Sequence, residues 1–235
     1  MLETLAFSEA RDTLAHPTFD PIGSLLIGMT VPAGGSSRVR LLTALTGDKG
    51  LAIDLVARHL QVPGARSVSP ARDRATFHPI GHGEVPAGTI EPYSEFSEDG
   101  RRLVVRTPFT PRPYDHTLSN ALGHVVVATN RGLHTTSSVN AQQNRLTPDW
   151  SDIVTREVPG EAFYLYDPDV GQWFSPTYHP LNDAGASHEA EFGVDGSATF
   201  RMTRGSIETE LSVFVPPEEP AGVYLLTVRY VLRGF

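Results

Sequence analysis

The sequence predicts an all-β protein: an antiparallel β-sandwich with one short helix. From residue 93 onward, short segments rich in apolar residues recur at intervals of roughly 8–12 residues. Turn residues separate them, as in the Asp-Gly pairs at 99–100 and 195–196. Several segments also alternate apolar and polar residues, as strands with one buried face do. A chain of 235 residues suits one large sandwich or two smaller units.

The first block, residues 1–60, combines predicted strands with the helix. The apolar segment 24–31 and the segment 38–46 are predicted strands, and a Pro-Ala-Gly-Gly turn lies between them. A Gly-Asp-Lys-Gly break follows at 47–50. Residues 51–60 place apolar side chains at helical spacing, which predicts a short amphipathic helix.

The second block, residues 61–92, has a different composition. It contains nine proline and glycine residues and keeps neither a strand period nor a helix period. Such a segment is typical of a linker or a surface crossing.

The third block, residues 93–235, carries most of the predicted strands. The run at 124–129 is almost continuously apolar, which is typical of a strand buried on both faces. A strongly β-forming segment ends only a few residues before Phe235, so we expect the natural sequence to continue. The predicted strands are 102–107, 124–129, 162–167, 173–175, 189–194, 198–203, 207–215 and 223–232.

Composition excludes several kinds of partner and site. The chain has no cysteine, which rules out disulfides and cysteine-based zinc sites. The net charge is −8, and Lys49 is the sole lysine, so nucleic acid and anionic membranes are poor partners. The N-terminus has no signal-peptide pattern, and no apolar stretch is long enough to span a membrane, so we expect no direct membrane contact.

Four ordered motifs carry a resemblance to a known family: SVNAQQNRLTPDW at 138–150, PGEAFYLYD at 159–167, WFSPT at 173–177 and ELSVFVP at 210–216. Their order and spacing resemble the N-terminal super-sandwich of glycoside hydrolase family 94, formerly glycosyltransferase family 36. That family includes cellobiose phosphorylase and the C-terminal part of cyclic β-1,2-glucan synthases. One departure is Asp149, which stands between the Thr-Pro pair and Trp150.

The resemblance implies a galactose-mutarotase-like sandwich over residues 93–235. Residues 19–35 are similar to the closing strands of a sandwich in the glucan synthases. This suggests that 1–60 closes one sandwich, that 61–92 connects, and that 93–235 begins another. The family's catalytic (α/α)6 barrel lies C-terminal to its sandwich, so we expect this chain alone to be inactive.

The functional expectation follows from the same resemblance. The chain would support the barrel of a β-glucan phosphorylase or cyclic β-1,2-glucan synthase, take part in homodimer contacts and contact a β-glucan or oligosaccharide. The implied location is the cytoplasm, or the cytoplasmic face of the inner membrane through a larger parent. The alternative is a free-standing module that binds carbohydrate or another protein.

Five residues are candidate contacts with sugar or at an interface, because flat aromatic rings and planar polar side chains suit sugar recognition. Asn144, Arg145 and Trp150 share one polar loop, although Arg145 also suits pairing with a carboxylate and Trp150 a core position. Trp173 and Tyr178 lie in the segment 173–180, where core packing competes with a stacking role.

Other chemistry has weaker support. His78 and His82 have the spacing of a helical zinc pair, but Pro79 and Gly81 disfavour a helix there. A Ser-His-Asp triad lacks a nucleophile-elbow sequence. Glu208 and Glu210 are separated like a glycosidase acid pair, but their strand spacing equally suits a solvated face. We therefore expect no catalytic residue, no metal and no cofactor in this chain.

Overall fold

The computed structural model describes residues 27–44, 49–60, 93–138, 147 and 160–231. One helix and twelve strands lie within these ranges, and the strands pair antiparallel in three sheets. The elements are β1 (Ser36–Ala44), α1 (Lys49–Leu60), β2 (Ser94–Phe96), β3 (Arg102–Val105), β4 (Asp115–Ser119), β5 (His124–Thr129), β6 (Gly132–Ser138), β7 (Leu165–Asp167), β8 (Gln172–Phe174), β9 (Ser187–Gly193), β10 (Ser197–Arg204), β11 (Ile207–Phe214) and β12 (Ala221–Tyr230).

The largest sheet has seven strands in the order β1-β12-β11-β10-β9-β3-β2. Its central strands alternate buried and less buried residues, as the sequence pattern predicts for a sheet with one face in the core. Phe200 of β10 lies opposite Leu211 on one side and Ala190 on the other, and all three are buried. The all-β antiparallel prediction is confirmed.

A three-stranded sheet, β4-β5-β6, supplies the second layer of the core. Leu118, Val126, Ala128 and Leu133 from these strands join the buried side chains of the seven-stranded sheet in one apolar cluster. The continuous apolar run of β5 is largely buried, in agreement with its sequence. The two sheets therefore form a sandwich around a shared core.

The N-terminal block contributes an edge strand and the helix. β1 pairs with β12 from Ser36 opposite Arg229 to Ala44 opposite Ala221. The predicted helix is confirmed, and it buries Leu55. The predicted strand at 24–31 is wrong in its described part, because 27–31 form no strand. The division of the chain at 60 and 92 stays a prediction.

Tight turns join the strands where the sequence predicts them. Gly100, Gly196 and Gly205 have φ values of 66°, 74° and 57°, which glycine adopts without a Cβ penalty. The predicted linker at 61–92 lies outside the described residues. The described helix is neither long nor apolar enough to cross a membrane. Within the described ranges, no three His, Asp or Glu side chains cluster as metal ligands would.

Candidate functional site

The β7–β8 hairpin forms a separate two-stranded sheet with two unlike faces. Its register places Leu165 opposite Phe174 and Tyr166 opposite Trp173. Phe174 is buried and Leu165 packs against the core cluster, so this pair fixes the hairpin to the sandwich. Because side chains alternate along a strand, Tyr166 and Trp173 lie on the other face.

Three aromatic side chains share that outer face, and we call Tyr164, Tyr166 and Trp173 the aromatic surface. The rings of Tyr166 and Trp173 have centroids 4.8 Å apart at an angle of 39°. Tyr164 meets Trp173 edge-on, with centroids 6.2 Å apart. Tyr164 is 45% exposed and Tyr166 is 49% exposed. The rings are inclined to one another, so the surface offers the half-exposed tyrosine rings for stacking of a sugar rather than one common plane.

The turn of the hairpin adds negative charge beside the aromatic surface. Asp167 Oδ1 accepts a hydrogen bond from the backbone N–H of Asp169 at 2.9 Å, which shapes the turn locally. Val170 at its tip is exposed. Burial raises the pKa of the Tyr164 hydroxyl above its ordinary value, so this ring stays neutral around pH 7. Anionic ligands are disfavoured here, whereas carboxylate acceptors suit hydroxyl or N–H donors.

Trp173 and Tyr178, both predicted from sequence, have different environments. Trp173 belongs to the aromatic surface, whereas Tyr178 is only 8% exposed. The Tyr178 ring meets Phe109 edge-on at 5.4 Å and His188 at 5.7 Å. Its burial removes Tyr178 from the aromatic surface, and its place in a sugar or interface contact stays a prediction.

The loop that holds Tyr178 is fixed by hydrogen bonds to the β5–β6 turn. The N–H of His179 donates to the carbonyl of Arg131 at 2.7 Å. Arg131 Nε donates to the carbonyl of Pro108 at 2.9 Å, and Asn130 Nδ2 donates to the carbonyl of Thr107 at 3.1 Å. These contacts join two loops and one turn at the edge of the sandwich, which gives the hairpin next to them a fixed base.

A narrow cavity beside this loop has no room even for a water molecule, so it cannot hold a sugar ring. His188 lines it, and burial lowers the pKa of that imidazole to about 4, although nearby Asp183 opposes the shift. Among the described residues, neither ring nitrogen of His188 makes a hydrogen bond of regular geometry, although the backbone of Asp183 lies near the ring. Because the imidazole is neutral around pH 7, it acts there as a packing group. The residues lining the cavity are Phe174, Ser175, Thr177, Leu181, Asp183, Ala186, His188 and Met202.

The other predicted candidates, Asn144, Arg145 and Trp150, lie outside the described residues. Thr147, in the same motif, is described. Its hydroxyl oxygen accepts a hydrogen bond from the backbone N–H of Thr136 in β6 at 3.0 Å. The motif therefore meets the three-stranded sheet at this point.

Acidic residues on the outer face of the seven-stranded sheet are held in ion pairs. Arg201 contacts Glu189 at 3.1 Å, Glu191 at 2.9 Å and Glu210 at 3.3 Å. Arg102 also contacts Glu191, at 2.9 Å. The arrangement agrees with the interpretation of Glu210 as part of a solvated strand face.

A cluster of polar side chains around the Glu161 carboxyl lies inside the sandwich. Burial raises the pKa of the Glu161 carboxyl, while the hydroxyls of Tyr224, Thr136 and Thr43 act in the opposite direction. Those hydroxyls lie near the carboxyl, yet within the described part of the chain neither Glu161 Oε2 nor the Tyr224 hydroxyl makes a hydrogen bond of regular geometry. His124 is fully buried close by, and burial lowers its pKa. This group is enclosed, so it is not a surface for a large ligand.

Sequence reasoning missed Tyr164 and Tyr166 as site residues. The alternation within the predicted strand 162–167 already placed both tyrosines on one face. The short turn to 173–175 was the signal that would have set Trp173 opposite them. Cross-strand pairing, rather than any motif, identifies the aromatic surface.

Comparison with known proteins places this fold in a family. The model of the glycosyl hydrolase 94 supersandwich domain matches residues 101–230, more than half of the chain. An N,N'-diacetylchitobiose phosphorylase of Vibrio furnissii is 28% identical over 134 residues, covering 56% of this chain and 16% of that protein. The enzyme of the same name from Vibrio proteolyticus is 25% identical over 139 residues, covering 58% and 17%. The chain thus spans less than a fifth of these relatives' length, and it belongs to glycosyl hydrolase family 94 through its supersandwich domain.

Proposed function

We propose that this chain is a non-catalytic, carbohydrate-associated sandwich of a larger glycoside phosphorylase. Two matched relatives are named as phosphorylases of a disaccharide, and this chain corresponds to 16–17% of their length. The family relation supports the coarse assignment. The finer proposal is that the sandwich supports an (α/α)6 catalytic barrel and its dimer interface in an enzyme acting on β-linked sugars. The parent would be a phosphorylase or a cyclic β-1,2-glucan synthase.

The observation that carries the proposal is the arrangement of the carboxylates on the seven-stranded sheet. Glycosidase chemistry needs two carboxyl groups roughly 5–10 Å apart across a cleft that admits the sugar. On the seven-stranded sheet, Glu189, Glu191 and Glu210 instead converge on Arg201, on an open face. This arrangement supports a structural rather than a catalytic use of these acids.

An activity assay tests the non-catalytic assignment. The purified chain is incubated with inorganic phosphate and either N,N'-diacetylchitobiose or cellobiose, and sugar 1-phosphate is measured. A known N,N'-diacetylchitobiose phosphorylase serves as the positive control. We expect no product above the protein-free background. Sustained product formation that grows with protein concentration would overturn the proposal.

The dimer proposal has its own test in the mass of the purified chain. The molar mass is measured by light scattering after size-exclusion chromatography, over a tenfold range of protein concentration. This range corresponds to about 1.4 kcal/mol of association free energy. A dimer would support a contribution of this sandwich to the subunit interface. A monomer at every concentration would mean that the chain alone does not make that interface.

A second candidate function is a free-standing carbohydrate-binding module. The exposed aromatic surface favours it, because such a surface can act without a neighbouring barrel. A stable monomer that binds oligosaccharide saturably would favour this alternative. The cytoplasmic location implied by the family resemblance stays a prediction under either function.

A further inference from the structure

We propose that the aromatic surface of Tyr164, Tyr166 and Trp173 is a binding site for one or two rings of a neutral β-linked oligosaccharide. The proposal rests on the proposed function for the choice of carbohydrate as the ligand class. It goes further by naming the residues and the mode of contact. Its experimental failure would be distinguishable from failure of the accessory role.

The first argument is that the rings are held in place before a ligand arrives. The inner pair, Leu165 and Phe174, anchors the hairpin to the core, while Tyr166 and Trp173 lie directly opposite each other outside. Tyr164 meets the edge of Trp173. Aromatic side chains fixed in this way lose little conformational entropy on binding, so more of the stacking energy contributes to affinity.

The second argument comes from the chemistry of the ligand. A β-linked glucose or glucosamine ring carries its substituents equatorially, which leaves flat patches of C–H groups on both faces of the ring. Such a face is apolar and matches an aromatic ring of similar size. The hydroxyls around its rim need acceptors, and Asp169 is an exposed carboxylate on the adjoining turn.

The third argument concerns ligands of other kinds. The acidic turn disfavours binding of nucleic acid, free phosphate and anionic lipid, because all of these ligands are negatively charged and like charges repel. A protein partner would have to cover much more of the chain than these three side chains, because a stable interface buries about 800 Å² on each partner. A neutral sugar is the ligand that fits both the charge and the size of this surface.

Fluorine NMR tests the proposal on the intact chain. Both tryptophans, Trp150 and Trp173, are replaced by 5-fluorotryptophan during expression, and Trp173→Phe assigns the two signals. The labelled chain is titrated with cellotetraose and, separately, with N,N'-diacetylchitobiose. We expect a saturable shift of the Trp173 signal with at least one of these sugars. If that signal does not shift with either sugar at about 10 mM, the proposal is wrong. A dissociation constant above about 10 mM corresponds to a binding free energy of less than about 3 kcal/mol.

Matched variants assign the effect to the surface. Tyr166→Ala removes one half-exposed ring, and we expect it to weaken sugar binding by about fivefold or more, in the range measured for an aromatic contact. Phe96→Ala is the control, because Phe96 is 71% exposed but lies in β2, outside the hairpin. An equal affinity of Tyr166→Ala and Phe96→Ala would overturn the proposal even if the sugar binds elsewhere on the chain.

The two proposals fail in different ways. Loss of sugar binding leaves the accessory role intact and points to another protein segment as the partner of this surface. Phosphorolysis by the purified chain removes the accessory role but leaves the binding surface standing, provided that the Trp173 signal still responds to sugar.

Discussion

The β7–β8 hairpin and the seven-stranded sheet use aromatic side chains in opposite ways. In the large sheet, Phe192, Phe200 and Tyr224 point into the core, and the outer face carries ion pairs around Arg201. In the hairpin, the inner face has a single aromatic ring, that of Phe174, and the outer face carries Tyr166 and Trp173. Two antiparallel sheets of one molecule therefore differ in what they expose.

The difference shows that the core of this chain can bury aromatic rings. Its core buries large rings completely, and its other exposed sheet face is covered with charge. Single exposed apolar residues are ordinary, but contiguous ones mark a contact surface. Two half-exposed tyrosine rings in contact with Trp173 on one short hairpin therefore differ from single exposed apolar residues, and they are the basis of the binding proposal.

The largest effect expected from this comparison is on stability. Phe200→Ala removes a ring that is 2% exposed, and we expect it to lower the free energy of unfolding by about 3–5 kcal/mol. Tyr166→Ala removes a ring of similar size from the outer face, and we expect a loss of about 1 kcal/mol or less, from the cross-strand contact with Trp173. Urea unfolding measures both. If the two variants lose similar amounts of unfolding free energy, the hairpin ring stabilises the fold as much as the core ring does, and the contrast between the two regions is wrong.

The next largest effect is a pH dependence from the buried region beside the hairpin. His188 has an ordinary pKa of 6.5, and burial lowers it to about 4 in the folded chain. The unfolded chain therefore binds a proton first as the pH falls. The free energy of unfolding is therefore highest, as far as His188 is concerned, above pH 6.5. It falls by about 3 kcal/mol as the pH drops from 6.5 to 4.

The comparison variant for this effect is His188→Leu, which cannot titrate. Unfolding is measured in urea from pH 7 to pH 4 for the variant and the original chain. The original chain should lose more stability over this range. If both lose the same amount, His188 is not the group responsible.

A smaller effect is expected on the charged outer face. Arg201→Ala leaves Glu189, Glu191 and Glu210 without their shared cation. These side chains are partly exposed, so we expect a loss of about 1 kcal/mol at low salt. The loss should shrink at about 1 M NaCl, where the screening length is about 3 Å. A loss independent of salt would show that Arg201 acts through packing instead.

Much of the fold follows from local sequence patterns. The strands at 187–193, 197–204 and 207–214 alternate apolar and polar residues, and glycine turns separate them. Such short hairpins are encoded almost entirely by neighbouring residues. The helix at 49–60 is likewise encoded by its own spacing of apolar side chains.

Three strands were not predicted from the sequence. β4 has a single apolar residue, Leu118, and β6 consists largely of threonine, serine and glycine. β2 has only three residues. These strands are stabilised by pairing with apolar neighbours such as β5, so tertiary contacts override their weak local pattern. The pairing of β1 with β12 joins residues far apart in sequence, and no local pattern shows it.

Among the candidate site residues, Trp173 was selected by residue type, and its contact with sugar stays a prediction. The structure adds Tyr164 and Tyr166 as its neighbours through strand alternation and cross-strand register. Tyr178 had the same aromatic character in the sequence. Its low exposure and its contacts with Phe109 and His188 show that its ring is buried. Residue type alone did not separate a buried ring from an exposed one.

The most direct test of the contrast between hairpin and sheet is a thermal-shift measurement with sugar. A ligand at about ten times its Kd adds about 1.4 kcal/mol to the stability of the state that binds it. We expect this to raise the Tm of the original chain by roughly 3–5 °C. Without sugar, Tyr166→Ala should melt within about 4 °C of the original chain, and sugar should raise its Tm little or not at all. An equal rise in both proteins, or none in either, would contradict the assignment of the exposed rings to sugar binding.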